Sequence, residues 1–186
     1  MQKPQGLQHV TKNHQDQLKL LKIYNFSKPD LSWMTKSKSF KNRKYVIFIP
    51  SASKSGDYKK WPIKKYAAVA NYLINKEYEV YLTGSMKDID DINAIIELCP
   101  KAQNKIAESK IEFFYELCMK SSLIISNDTG PAHIAGLTNK NLIWLANDNT
   151  ISKSCYPLGK NIHKIVSKDV KNIDTKAVIK KIDQII

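Results

Sequence analysis

Arginine is nearly absent from this 186-residue sequence, in which Arg43 is the only arginine among 30 basic residues. The formal charge of +13 at pH 7 therefore rests on lysine. Proteins that read nucleic-acid sequence favour arginine, because its planar guanidinium pairs with guanine or phosphate at two points at once. The lysines are also spread along the chain without forming a block. We therefore expect an anionic small ligand or an anionic membrane surface, and no nucleic-acid partner.

Cysteine is scarce, and long apolar runs are missing. The three cysteines, Cys99, Cys118 and Cys155, are far apart and show no CxxC spacing, so we expect core residues in a reducing compartment. No stretch approaches the roughly 20 apolar residues that a membrane-spanning helix needs. No signal peptide opens the sequence, and we expect a cytoplasmic protein.

Hydrophobic patterning divides the chain at residue 45. Residues 1–44 are polar and lysine-rich, with one helix predicted over residues 15–24 whose apolar positions are too loosely spaced to make a core. We interpret residues 1–44 as an arm or interdomain linker. Residues 45–186 are long enough to bury one hydrophobic core, and we interpret them as a single domain.

Predicted strands and helices alternate throughout residues 45–186. Strands are expected at residues 45–50, 79–83, 105–107, 122–126, 141–146 and 162–166. Helices are expected from Pro62, over residues 88–99, 111–120 and 131–137, and after Asp174. This alternation predicts an α/β fold, a Rossmann-like parallel sheet with helices on both faces.

The unusual residues follow three of these strands, where an open parallel sheet binds its ligands. They occupy residues 51–61, 84–88 and 127–133. In the last loop, Gly130 lets the backbone approach a ligand, and Pro131 opens a helix whose free N–H groups and dipole favour a phosphate within reach of His133. The sequence thus predicts a pyrophosphate site. No GxGxxG or Walker A pattern occurs, which excludes a Rossmann dinucleotide site and a P-loop.

Each residue also has a simpler explanation. Asp128 suits a helix N-cap, His133 a half-buried packing residue, and Lys59 a solvated lysine. Trp61 and Pro62 suit a hydrophobic staple. The Asp-Thr-Gly triplet occurs in aspartic proteases, but those enzymes use two aspartates and no second copy exists here. The co-location of three loops, more than any one residue, favours a ligand site.

The segment at residues 126–136, SNDTGPAHIAG, resembles the hallmark of glycosyltransferase family 9, the heptosyltransferases of lipopolysaccharide core assembly. The family pattern Asp-(Ser/Thr)-Gly-x-x-His-x-Ala is matched from Asp128 to Ala135. The family's Lys-x-Trp-Pro is matched by Lys59, Trp61 and Pro62. Residues 9–34 are similar to the family's interdomain segment. The resemblance covers nearly the whole chain but only the second half of the family's architecture.

This resemblance implies the C-terminal half of a GT-B glycosyltransferase, which binds an ADP-sugar donor, usually ADP-heptose, without a metal ion or other cofactor. The implied contacts are with the diphosphate, the sugar and the nucleoside. The residues at matching positions are Ser53, Ser55 and Lys59 for the diphosphate, Asp128, Thr129 and Gly130 for sugar and phosphate, His133 in support, and Asp88, or as second choice Asp90, for the nucleoside.

The sequence departs from the family in two places. The family's catalytic base is an aspartate in an N-terminal acceptor domain, so no catalytic residue is assigned and the chain is expected to be incomplete alone. The family's Phe-Gly-Pro-Thr stretch is replaced by ANDNT at residues 146–150. The implied partners are the donor, a glycolipid acceptor at the inner membrane surface and a separate N-terminal half, which makes the protein free in the cytoplasm or peripheral to that membrane.

Two other functions fit the same sequence. One is a non-catalytic remnant of a split transferase that binds a nucleotide or a partner protein. The other is a different GT-B-like nucleotide-sugar enzyme, such as an epimerase.

Overall fold

The computed structural model describes residues 8–27, 30–31, 33, 44–52, 56–106 and 111–186, without the side chains of Glu112 and Thr150. Within these residues a six-stranded sheet is covered by helices on both faces. The strands are β1 (Tyr45–Ile49), β2 (Glu79–Leu82), β3 (Gln103–Asn104), β4 (Leu123–Asn127), β5 (Leu142–Asn147) and β6 (Ile162–Ser167). The helices are α1 (Val10–Leu20), α2 (Ile63–Asn75), α3 (Ile89–Leu98), α4 (Ile111–Lys120), α5 (Gly130–Leu137), α6 (Thr150–Ser154) and α7 (Thr175–Asp183).

All neighbouring strands are parallel, in the order β3-β2-β1-β4-β5-β6. The predicted Rossmann-like α/β fold is confirmed. The chain reverses its direction across the sheet between β1 and β4, which pair over four registered residues. At such a switch point the loops after the two strands diverge and leave a crevice. The chain at residues 50–52 and 56–62, after β1, and at residues 128–129, after β4, therefore flanks that crevice.

The core lies on both faces of the sheet, which explains the continuous apolar run in β1. Val46 and Phe48 pack into the cluster formed with α2, α3 and α7. Tyr45, Ile47 and Ile49 pack into the opposite cluster with α4 and α5. All five side chains are buried. Burying each large apolar side chain contributes about 1.5–3 kcal/mol, so these two layers hold the strand ends in fixed positions.

Most predicted boundaries differ from the structure by one or two residues, one strand and one helix are displaced by two to five, and one helix was not expected. The third strand lies at Gln103–Asn104 instead of residues 105–107, of which residue 107 is outside the described range. The arm helix spans Val10–Leu20 instead of residues 15–24, because His9 caps it: the His9 ring accepts a hydrogen bond from Thr11 N at 3.2 Å. The unexpected helix, α6, begins after Asn149, whose side chain accepts from Ser152 N at 2.9 Å.

Two glycines in α5 have opposite surroundings. A Cβ on Gly136 would lie 2.6 Å from the carbonyl oxygen of Leu158, so this end of the helix packs backbone against backbone. A Cβ on Gly130 would meet nothing within 4 Å. The helix is therefore anchored at its carboxyl end and exposed at its amino end, which faces the crevice.

Candidate functional site

An ion pair joins the two loops of the switch point. Lys59, in the short 3-10 turn Asp57–Lys59 after β1, donates from Nζ to Asp128 Oδ2 at 2.7 Å. The side chains of Lys59 and Asp128 are 20% and 10% exposed. Burial acts to lower the pKa of Lys59, but the hydrogen bond and charge of Asp128 outweigh it, so the pKa lies above its ordinary value. The Lys59 ammonium is therefore charged and fixed by Asp128, unlike that of a freely solvated lysine.

The amino end of α5 lies directly after Asp128. Thr129 is the N-cap of this helix, and its side chain makes no capping hydrogen bond. The suggestion that Asp128 is the N-cap is therefore wrong. Ala132 N donates to Thr129 O at 3.0 Å, and Pro131 has no N–H. Gly130 is exposed, so its N–H and the helix dipole are available to an anion.

His133 lies in the first turn of the same helix and is half-buried. Burial lowers the pKa of its imidazole below the ordinary value, and the charges of Lys59 and His9 act in the same direction, while Asp128 opposes them. His133 is consequently neutral near pH 7 and offers one N–H donor rather than a full charge.

Asp88 and Asp90 follow β2 and not the two strands that precede Lys59 and Asp128. Asp88 is buried and its Oδ2 accepts from Ser85 N at 2.7 Å and Ser85 Oγ at 2.8 Å, within its own loop after β2. Its role toward a nucleoside stays a prediction, as does that of the exposed Asp90. Ser53 and Ser55 lie outside the described residues.

Asn127, a fully buried amide at the end of β4, was not among the predicted site residues. Its Oδ1 accepts from Trp61 N at 3.1 Å and from Tyr66 Oη at 2.9 Å. Its Nδ2 donates to Pro50 O at 2.7 Å. Asn127 therefore fastens both ends of the loop that carries Lys59. The only sequence signal is a polar residue closing an otherwise apolar buried run.

Trp61 anchors the same loop more deeply than a hydrophobic staple would. Its side chain is 1% exposed, and its ring meets Tyr66 edge-on with centroids 5.0 Å apart. Its indole N–H donates to Ile173 O at 3.0 Å, in the segment before α7. The Lys59 loop is thus held to the sheet and to the carboxyl-terminal part of the chain.

The family model for glycosyltransferase family 9 (heptosyltransferase) matches residues 4–182. The chain belongs to glycosyltransferase family 9. The recognition made from residues 126–136 is therefore confirmed.

Relatives in family 9 agree with this assignment. Lipopolysaccharide heptosyltransferase 2 of Salmonella typhimurium is 33% identical over 108 residues, which cover 55% of this chain and 31% of the relative. The solved Escherichia coli ADP-heptose LPS heptosyltransferase II is 26% identical, with a TM-score of 0.70 over 77% of this chain and 46% of that one. The E. coli heptosyltransferase WaaC with ADP shares the fold, at 15% identity and a TM-score of 0.79 over 97% of this chain and 58% of that one. The chain spans about a third of the curated relative and about half of the solved ones.

The segment that carries α1 contacts the rest of this family 9 chain at Tyr156. His9 Nε2 lies 3.0 Å from Tyr156 O, and the two rings meet edge-on at 4.6 Å. Beyond this contact α1 has no buried residue, and Leu20, Leu21 and Tyr24 are each at least 68% exposed. The arm therefore presents apolar side chains that the described part of the domain does not cover.

In the part of the chain that the structure describes, no three His, Cys, Asp or Glu side chains come together as a metal site. Among those residues there is also no helix with the length and apolar character that crossing a bilayer requires.

The charges around His133 give a prediction about its titration. We expect its imidazole to titrate below pH 6.5, with a still lower pKa in Asp128→Asn and a higher pKa in Lys59→Ala, because those charges act in opposite directions. Proton NMR of the imidazole resonances against pH measures all three values. Since the folded pKa is depressed, the stability that His133 contributes is complete above about pH 6.5 and is lost as the pH falls through the folded value. Identical His133 titration in the three proteins would contradict this electrostatic account.

Proposed function

We propose that this chain is the donor-binding part of a heptosyltransferase-like glycosyltransferase and binds an ADP-sugar. The observation that carries the proposal is the Lys59–Asp128 pair beside the uncovered amino end of α5, at the switch point of the sheet. One cation, one neutral imidazole and one helix N-terminus converge there. That combination suits a diphosphate, which needs both charge neutralisation and N–H donors.

Lys59 and Asp128 would contact different parts of the donor. Lys59 would turn part of its hydrogen bonding from Asp128 to a phosphate oxygen, and Gly130 N–H would donate to the same group. A carboxylate repels phosphate but accepts hydrogen bonds from hydroxyls, so Asp128 and Thr129 suit the sugar. His133 would supply a further N–H to the phosphate. These assignments leave Ser53, Ser55 and Asp88 as proposed contacts of the diphosphate and nucleoside.

The proposed reaction is transfer with inversion. An acceptor hydroxyl attacks the anomeric carbon, the bond from that carbon to the phosphate oxygen breaks, and ADP leaves with the bonding electrons. Lys59 and the α5 N-terminus would stabilise the negative charge that develops on the leaving diphosphate. The hydroxyl proton passes to a base, which we place in an N-terminal acceptor domain.

ADP-heptose is the donor that we propose. The support comes from relatives: one solved heptosyltransferase contains ADP, and another is named for ADP-heptose. The acceptor that we propose is a glycolipid of the lipopolysaccharide core at the inner membrane surface, reached from the cytoplasm. The net charge of +13 would favour residence near such an anionic surface.

We further propose that activity needs a second, N-terminal half. The chain spans about a third of its curated relative, and the exposed Leu20, Leu21 and Tyr24 on the arm offer an apolar surface to such a half. In this proposal residues 1–44 form the arm and linker, and residues 45–186 form the nucleotide-sugar-binding domain.

Binding of ADP is the first test. Calorimetry with ADP, ADP-heptose and UDP-sugars should show weak binding that prefers ADP compounds. Lys59→Ala should weaken it by about 1.5–3 kcal/mol, the usual contribution of a charge-assisted hydrogen bond, which is roughly 10- to 150-fold in Kd. Asp128→Ala should weaken binding of the ADP-sugar. Gly130→Ala should weaken binding of both ligands, because its Cβ would occupy open space where a phosphate would lie.

Lys60→Ala is the matched control for these variants. It removes the same charge one residue away, but Lys60 is directed to Asp91 at 2.8 Å and Asp57 at 3.1 Å. It should bind ADP like the wild type, and Gly130→Ala should keep the wild-type urea midpoint. The proposed site is wrong if the folded wild type binds no nucleotide at millimolar concentration. It is also wrong if Lys59→Ala and Lys60→Ala weaken ADP binding equally. Preference for a UDP-sugar would instead favour a different nucleotide-sugar enzyme.

Sugar transfer tests the proposed incompleteness. This chain alone should not transfer heptose from ADP-heptose to a truncated lipopolysaccharide core, because a general base typically contributes about 10²–10⁴-fold in rate and the acceptor must also be oriented. Addition of an N-terminal half from a family relative should restore turnover. Robust transfer by the chain alone would contradict the proposal that the base lies in a separate N-terminal half. The base would then be sought among Asp57, Asp128 and Asp148. Binding with no transfer in any combination would favour a non-catalytic module.

A further inference from the structure

Two buried amide side chains end neighbouring strands of the sheet. Asn127 is the last residue of β4 and Asn147 is the last residue of β5. β4 and β5 are paired in parallel. Both side chains are therefore presented at the carboxyl edge, on the side where the Lys59 loop crosses the sheet, and both are less than 10% exposed.

Asn147 uses both ends of its amide on two separate backbone segments. Its Nδ2 donates to Tyr58 O at 2.9 Å, the carbonyl immediately before Lys59. Its Oδ1 accepts from Val170 N at 2.6 Å, at the start of the 3-10 turn Val170–Asn172. An amide side chain can donate and accept at once, because it carries both groups on one rigid plane.

The backbone is consequently held on both sides of Lys59. Asn147 holds the carbonyl of Tyr58, one residue before, and Asn127 holds the N–H of Trp61, two residues after. The indole of Trp61 completes the attachment through Ile173 O, which follows the turn that Asn147 holds. The hydrogen bond from Lys59 Nζ to Asp128 Oδ2 then holds the lysine side chain.

We propose that Asn147, together with Asn127, is a positioning residue for Lys59: it fixes the backbone from which the ammonium reaches the diphosphate. This inference rests on the proposed function of the site. A long, flexible lysine side chain has a large rotamer entropy. Fixing its backbone and its neighbours reduces the conformational entropy that is lost when an anion binds. Neither asparagine needs to touch the ligand for this effect.

The test is a double-mutant cycle on ADP binding by the full chain, with Asn147→Leu and Lys59→Ala. Asn147→Leu removes both hydrogen bonds without adding a charge. Acting through Lys59, it should weaken ADP binding about tenfold and add no further loss in the Lys59→Ala background. Asn71→Leu is the control, because it removes a similar amide-to-carbonyl bond, to Leu98 O at 3.1 Å, at an exposed site on α2. It should bind like the wild type.

A second readout does not depend on a ligand. The ammonium resonance of Lys59, held by Asp128, should be observable by nitrogen-15 NMR in the wild type and in Asn71→Leu, and lost in Asn147→Leu. The positioning role would be overturned if the losses of ADP affinity from Asn147→Leu and Lys59→Ala multiplied in the double variant. An unchanged ammonium resonance of Lys59 in Asn147→Leu would overturn it too. If the wild type failed to bind ADP while the ammonium behaved as expected, the proposed function would be wrong but the positioning of Lys59 would stand. Should Asn147→Leu not fold, Asn147→Ser replaces it under the same criteria.

Discussion

The parallel pairing of β1 with β4 is the constraint on which the site depends. Lys59 and Asp128 are 69 residues apart in sequence, yet their charged atoms lie 2.7 Å apart because each follows one of these strands. The strands are fixed by two apolar layers, so the loops at their ends begin from fixed points. Asn127 then ties the first loop to the end of the second strand through Pro50 and Trp61. The geometry of the site is thus a consequence of core packing and of buried amide side chains.

We propose that the Lys59–Asp128 pair serves ligand binding more than stability. For a largely buried ion pair, the cost of removing two charges from water offsets much of their attraction, and apolar residues of similar volume often serve the fold as well. A cation held beside an exposed helix N-terminus, however, is suited to an arriving anion. The lowered pKa of His133 fits the same view, since a neutral imidazole adds a donor without repelling Lys59.

The fold was predictable because its signals are local and strong. Helix α4 was expected at residues 111–120 and is found at Ile111–Lys120, and the buried strands were located from continuous apolar runs within one or two residues. β3 and α6 were misplaced or missed because they are two and five residues long, and so short an element depends on its neighbours and its caps.

The site was only partly predictable, for a different reason. Lys59, Asp128, Thr129, Gly130 and His133 follow from loops at strand ends and from the family pattern. Asn127 and Asn147 do not, because an asparagine at the end of a strand has the same sequence context whether it is solvated or holds another loop. Their partners, Pro50, Tyr58, Trp61 and Val170, are 23 to 89 residues away, and only the folded chain brings them together.

The most direct measurement of the central claim is the location of bound ADP, read from backbone amide shifts during a titration of the folded chain. The account predicts saturable shifts that are largest at Lys59, Thr129 and Gly130, on both sides of the switch point. Shifts centred on the opposite edge of the sheet, in the depression lined by Lys44, Lys76 and Glu79, would contradict it, and so would a spectrum that ADP leaves unchanged.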